Sequence, residues 1–299
     1  MTRREWLGVG VLSTAYLFGM LGHLKIAEFF VSRRQSDWLG TFRWADFIPH
    51  LGLATVLMLL AWQGRRAWHG ANRGWTILIW LAWLLLVILF DRWLIFNIPS
   101  YIHYLFYGAL AYGLAWFHDP VRNKLAIGPV VFAVTLMGIA DETLQYTFTT
   151  TAYSHYVDFN DFLLNMLSAI GGVWLYYGFS DWRQTGEHAR RRNHRAIVGF
   201  LAAGILATSL LTLIHLRHDH SDPQAALWPI ERKASSYGHW AATPYRGRYY
   251  VLDPASGIAL IIGLGLIVSI LPVVRARSLA NSRSGLRPRR QVSDTPPNL

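Results

Sequence analysis

Eight apolar blocks dominate this chain, and most are near or above the roughly 18–20 residues that cross a bilayer. They run from about Trp6 to Phe30, Phe47 to Gln63, Trp75 to Phe96, Tyr101 to Phe117, Leu125 to Phe148, Phe159 to Phe179, Ala196 to Leu216 and Gly257 to Val274. In lipid, each backbone polar group must find its partner inside its own segment or in a closed barrel, so such blocks predict helices. Charged residues make up 15% of the chain against 53% apolar, where soluble domains carry about 25% charged. The expected fold is all-α: a polytopic bundle of about eight transmembrane helices with both termini cytoplasmic.

Charge placement sets that orientation. The basic residues Arg3, Arg4, Arg65, Arg66, Arg73, Arg122, Lys124, Arg183, Arg190, Arg191, Arg192 and Arg195 fall on one side of the alternating blocks, with six Arg of the tail. Cytoplasmic loops carry such an excess. The net charge of +11 therefore has an explanation in topology and anionic lipid, which removes most of the case for nucleic acid, and no nucleic-acid partner is expected. The first block follows Arg3 and Arg4, is longer than a signal-peptide core and ends in Phe29 and Phe30, so it reads as a retained helix. With no cysteine, disulfides, thiol chemistry and thiolate-bound metal are excluded.

Four regions follow: two helices over 1–74, a four-helix core over 75–180, two further helices over 181–274 with a long outer loop at 217–256, and a basic tail over 275–299 read as disordered. Within the core, polar residues gather at one predicted depth. Asp141, Glu142 and Gln145 share about one turn at the end of the fifth block. Asp158, Asp161 and Asn165 stand at i, i+3 and i+7 at the start of the sixth, and His103 and Tyr107 are i,i+4 on the fourth. Antiparallel neighbours on short connections pack together, so the three stripes are expected to converge on the outer face. Acids in apolar helices are expensive unless they pair, bind something or meet water. A plain polar lock between helices is the competing account, but three or four carboxylates at one depth lock poorly unless a cation or protons neutralise them.

These residues resemble the VanZ-like membrane protein family, named after a teicoplanin-resistance accessory protein. The resemblance rests on His103 with Tyr107, on Asp141-Glu142-Thr-Leu-Gln145, and on Asp158, Asp161 and Asn165 followed by small residues up to Gly171-Gly172. It covers about Trp75 to Phe179. His155 stands where the family often has Arg, and would grip an anion only when protonated. The resemblance implies an integral protein of the bacterial cytoplasmic membrane, linked in some members to glycopeptide tolerance.

The expected function is an outward-facing polar pocket that engages a membrane lipid or a lipid-linked envelope precursor. Glu142, Asp161 and His103 are the candidate catalytic groups if a reaction occurs. Tyr107, Asp141, Gln145, His155, Asp158 and Asn165 are the candidate binding groups, and a divalent cation is a possible cofactor because hard cations prefer oxygen ligands. The alternative is a non-enzymatic transporter or assembly partner of an envelope protein, using the acids for proton coupling or docking. Three further features carry expectations. His215, His218 and His220 form a short run that suits a metal only weakly. The aromatics Trp228, Tyr237, Trp240, Tyr245, Tyr249 and Tyr250 read as an interfacial cover, with a lid over the pocket as the sharper account. The tryptophans of the third block read as lipid-facing packing. No G-x-S-x-G, H-E-x-x-H or P-loop occurs.

Overall fold

The computed structural model describes, with short gaps, residues 73–95, 99–148, 158–178 and 240–284, together with stretches within 34–43, 50–65 and 191–206. It is mostly helical, with two short hairpins: β1 (Arg34–Asp37) with β2 (Gly40–Arg43), and β3 (Trp240–Thr243) with β4 (Gly247–Tyr250). Five helices carry the architecture: α1 (Arg73–Trp93), α2 (Ile102–His118), α3 (Ile127–Phe148), α4 (Phe159–Tyr177) and α5 (Pro254–Ser284). Described residues within 50–65 are helical too, as is His194–Ala203.

The helix at the centre is α4. Asp158 caps its start, accepting from the Asn160 N–H at 2.9 Å, and Gly178 ends it with φ +57°, a conformation that favours glycine. Only Asp161 and Leu175 in α4 are even partly exposed, so it is buried on every side, with α1, α2, α3 and α5 around it. Small residues permit the closest approach. Gly172 meets Gly108 of α2 so tightly that an added Cβ would lie 2.0 Å from the Gly108 carbonyl oxygen, a backbone-to-backbone contact of the kind that holds helices together without a hydrophobic driving force. Trp83 fills the space beside Gly171 and its indole N–H donates to the Leu167 carbonyl at 3.0 Å.

That packing corrects the lipid-facing reading for two of the four tryptophans of α1, while Trp93 is exposed as expected. Trp80 and Trp83 of α1 are buried in the core, edge to face at 5.6 Å, while Ile77, Leu78, Leu81, Leu85, Ile88 and Trp93 form its exposed side. The indole N–H explains the difference, since Trp83 has a carbonyl to meet only on the inside. A second correction concerns the tail. Helix α5 continues ten residues past Val274 to Ser284, through Pro272, so the first part of the presumed disordered tail is helical; 285–299 lie outside the described residues.

Among the described residues, two helices, Gly74–Trp93 and Pro254–Pro272, are long and apolar enough to cross a membrane. At the end of the bundle away from the acids, a second polar cluster joins α2, α3 and α4. Buried Asp119 accepts from the Tyr177 hydroxyl at 2.8 Å through its side chain and from Tyr176 at 2.6 Å through its carbonyl. The Tyr177 oxygen also accepts from the Ala126 N–H. These bonds satisfy backbone groups exposed at the turn between α2 and α3, which marks the cluster as structural.

Candidate functional site

The chain reverses direction between successive helices, so the start of α2, the later turns of α3 and the start of α4 lie at one end of the bundle. His103 Nδ1 lies 2.6 Å from Asn165 Oδ1, and the Tyr107 hydroxyl donates to Asp141 Oδ2 at 2.5 Å. The His103 and Tyr107 rings stack at 5.9 Å. Glu142 Oε1 stands 4.0 Å from His103 Nδ1. One ligand atom from each of His103, Glu142 and Asp161 lies within 4.8 Å of the others. The structure thus brings together His103, Tyr107, Asp141, Glu142, Asp161 and Asn165. Gln145 sits on α3, but its side chain is outside the described set, as is all of His155.

Burial makes this group chemically tense. His103, Asp141 and Asn165 are buried, and Glu142 and His103 are each about nine-tenths covered, at 11% and 10% side-chain exposure. Among the described residues, Glu142 Oε1, Asp161 Oδ1, Asp141 Oδ1 and Asn165 Nδ2 are shielded from solvent and have no hydrogen-bond partner. Buried polar groups are nearly always bonded, and each orphan costs about 1–3 kcal/mol, more if charged. Three orphaned carboxylate oxygens beside one imidazole therefore create a standing demand for protons or a cation.

Asp158 lies just ahead of α4. Burial and the neighbouring Asp161 raise its pKa to about 8, against the opposing pull of the Asn160 N–H and His103. In the unfolded chain an aspartate loses its proton near pH 4. The folded chain binds the extra proton between about 4 and 8, so stability is greatest below that window and falls as pH rises through it. One such group contributes a slope of at most about 1.4 kcal/mol per pH unit. Thermal melts of chelator-treated protein from about pH 5 to about pH 8 should show this decline, and Asp158→Asn, which keeps the cap, should flatten it. Equal slopes in both proteins would rule Asp158 out as the titrating group.

Several residues of the site were not singled out in the sequence. An added Cβ at Gly138 would lie 2.7 Å from Asn165 Nδ2, so Gly138 makes room for the amide that orients His103. Gly138, Asp141, Glu142 and Gln145 stand at i, i+3, i+4 and i+7, and this stripe was the available signal. Asn160, buried between the two aspartates, donates to the Leu94 carbonyl at 3.0 Å and the Tyr250 carbonyl at 2.8 Å, and accepts from the Leu252 N–H at 3.0 Å. It pins the end of α1 and the β3–β4 hairpin to the start of α4.

Of the aromatics in the 217–256 loop, Trp240, Tyr249 and Tyr250 fall in the β3–β4 hairpin. Trp240 and Tyr250 pair across the strands at 5.4 Å, and Arg248 lies over the Trp240 ring. Tyr249 points inward, 3% exposed. Its phenol is pushed up by burial and by the charges of Asp158 and Asp161, which places it beside the acidic group as a neutral neighbour. Trp228, Tyr237, Tyr245 and the three histidines at 215, 218 and 220 lie outside the described residues.

Protein-family models, curated proteins and solved structures yield no match to this chain.

Proposed function

We propose that the chain is a multi-pass protein of the bacterial cytoplasmic membrane. Its buried acid–histidine pocket, at the outward end, engages a phosphorylated lipid or lipid-linked envelope precursor. The observation that carries this reading is the set of orphaned carboxylate oxygens facing His103 at one end of a bundle with an apolar exterior. Exposed Leu78, Leu81, Leu85 and Ile88 on α1, and Leu260, Ile267 and Ile270 on α5, support lipid around the bundle. A polar pocket within such a bundle suits a headgroup reached from the membrane face. The family resemblance of the same residues supports an envelope setting and a link to glycopeptide tolerance. If the pocket performs chemistry, Glu142 or Asp161 is the acid–base group and His103 its partner.

The full-length protein, extracted in mild detergent and examined by native mass spectrometry, should retain phospholipid or prenyl-linked lipid. Glu142→Ala and Asp161→Ala should lose at least nine-tenths of it at equal membrane abundance, and should lose glycopeptide tolerance in cells. Lipid retention that ignores both substitutions would sink the reading. A stable complex with an envelope protein, equally insensitive, would favour an assembly role.

A further inference from the structure

The acid–histidine pocket answers to a more specific chemistry than charge alone, and the inference rests on the proposed pocket being functional. Its donors are mixed: one imidazole and two carboxylates, supplied by three different helices, with ligand atoms within 4.8 Å of one another. Magnesium and calcium sites are built of oxygen alone, whereas imidazole with carboxylate suits divalent ions of the first transition row. Soft ions would want thiolate, and the chain has no cysteine. We infer that His103, Glu142 and Asp161 bind a single divalent transition-metal ion, of the manganese or zinc type, at the end of the bundle.

A second observation points to the same occupant. Asp141 is 2% exposed and Asn165 fully buried, yet Asp141 Oδ1 and Asn165 Nδ2 have no hydrogen-bond partner among the described residues, like Glu142 Oε1 and Asp161 Oδ1. Asp141 precedes Glu142 on α3, so a further carboxyl group adjoins the three donors. Asn165 holds the imidazole by its Oδ1 contact, and Tyr107 holds Asp141. Hydrogen-bonded partners of this kind fix the orientation of ligating groups. Three protein ligands leave coordination positions open, as in sites that bind an oxygen of a substrate. An oxygen of a phosphate group fits such a position, whether it belongs to a phospholipid or to a lipid-linked diphosphate.

The test uses the full-length chain in detergent, stripped with chelator, loaded with Mn2+ and dialysed. Elemental analysis should find about one ion per chain. Glu142→Gln and Asp161→Asn should each reduce it at least tenfold, while Asp253→Asn, at the start of α5, should leave it unchanged. Pulsed electron paramagnetic resonance of the loaded wild type should show coupling to an imidazole nitrogen, which His103→Gln should remove. Substoichiometric metal in the wild type, or no nitrogen coupling, would overturn the inference even if the variants fold poorly. The two proposals fail separately. Lipid retained after chelation with no metal bound would remove the ion and leave the pocket standing. Bound metal without any lipid would do the reverse.

Discussion

Gly172→Ala is expected to abolish the folded protein or lower its melting temperature more than any other single methyl group added to the bundle. The new Cβ would lie 2.0 Å from the Gly108 carbonyl oxygen, with the Gly108 carbonyl carbon at 2.8 Å. Overpacking usually costs about 1–3 kcal/mol when side chains can turn aside. Here the obstacle is backbone on a neighbouring helix, so α2 and α4 must separate and the cost should exceed the top of that range. Separation would also move His103 and Tyr107 away from Asn165 and Asp141, because the glycine contact and the site share the same pair of helices. Gly108→Ala is the internal control. Its Cβ would meet the Ser168 carbonyl oxygen at 3.5 Å, an ordinary contact, and the melting temperature should change little. Size-exclusion profiles and detergent melts of the two variants decide the matter; similar losses in both would show that the helix contact is looser than described.

The second large effect is expected at Asn160. Replacing it with leucine, similar in volume, strips the partners from the Leu94 and Tyr250 carbonyls and the Leu252 N–H at once. Each group left buried and unpaired costs about 1–3 kcal/mol. The cheapest relief is for the hairpin to lift into water, because its own ladder from Trp240 to Tyr250 can survive undocking. Hydrogen exchange at Leu252 should accelerate by a hundredfold or more, and Tyr249 should become accessible to modification, while the interior of α4 stays protected. Protection of Leu252 equal to the wild type would mean that Asn160 does not hold the hairpin.

The sequence carried the helices well because their signal is long. The boundaries of α2, α3 and α4 fall within about two residues of the apolar blocks from which they were expected. The convergence of His103, Glu142, Asp161 and Asn165 was legible for a similar reason, since helical spacing and short connections leave few alternatives. What escaped was information held in pairs of elements far apart in the chain. Asn160 looked like a polar residue between two more informative acids, and its partners at Leu94, Tyr250 and Leu252 lie too far away for periodicity to reveal. Trp83 looked lipid-facing because an indole carries no mark of which carbonyl will accept from it. The stretch past Val274 looked disordered by composition, yet an α-helix already under way needs only one backbone bond per added residue to continue.

The enclosure of α4 has a consequence for how the protein is made. Helices α1 to α3 precede it in the chain, but Gly257 of α5 lies directly against Phe159, and α5 packs on both α3 and α4. The ring around the central helix therefore closes only when a segment synthesised long after it arrives. Until then one side of α4 stands open, so the enclosure of the central helix depends on a segment well separated from it in the chain. A truncation before Pro254 would remove part of the wall around the central helix.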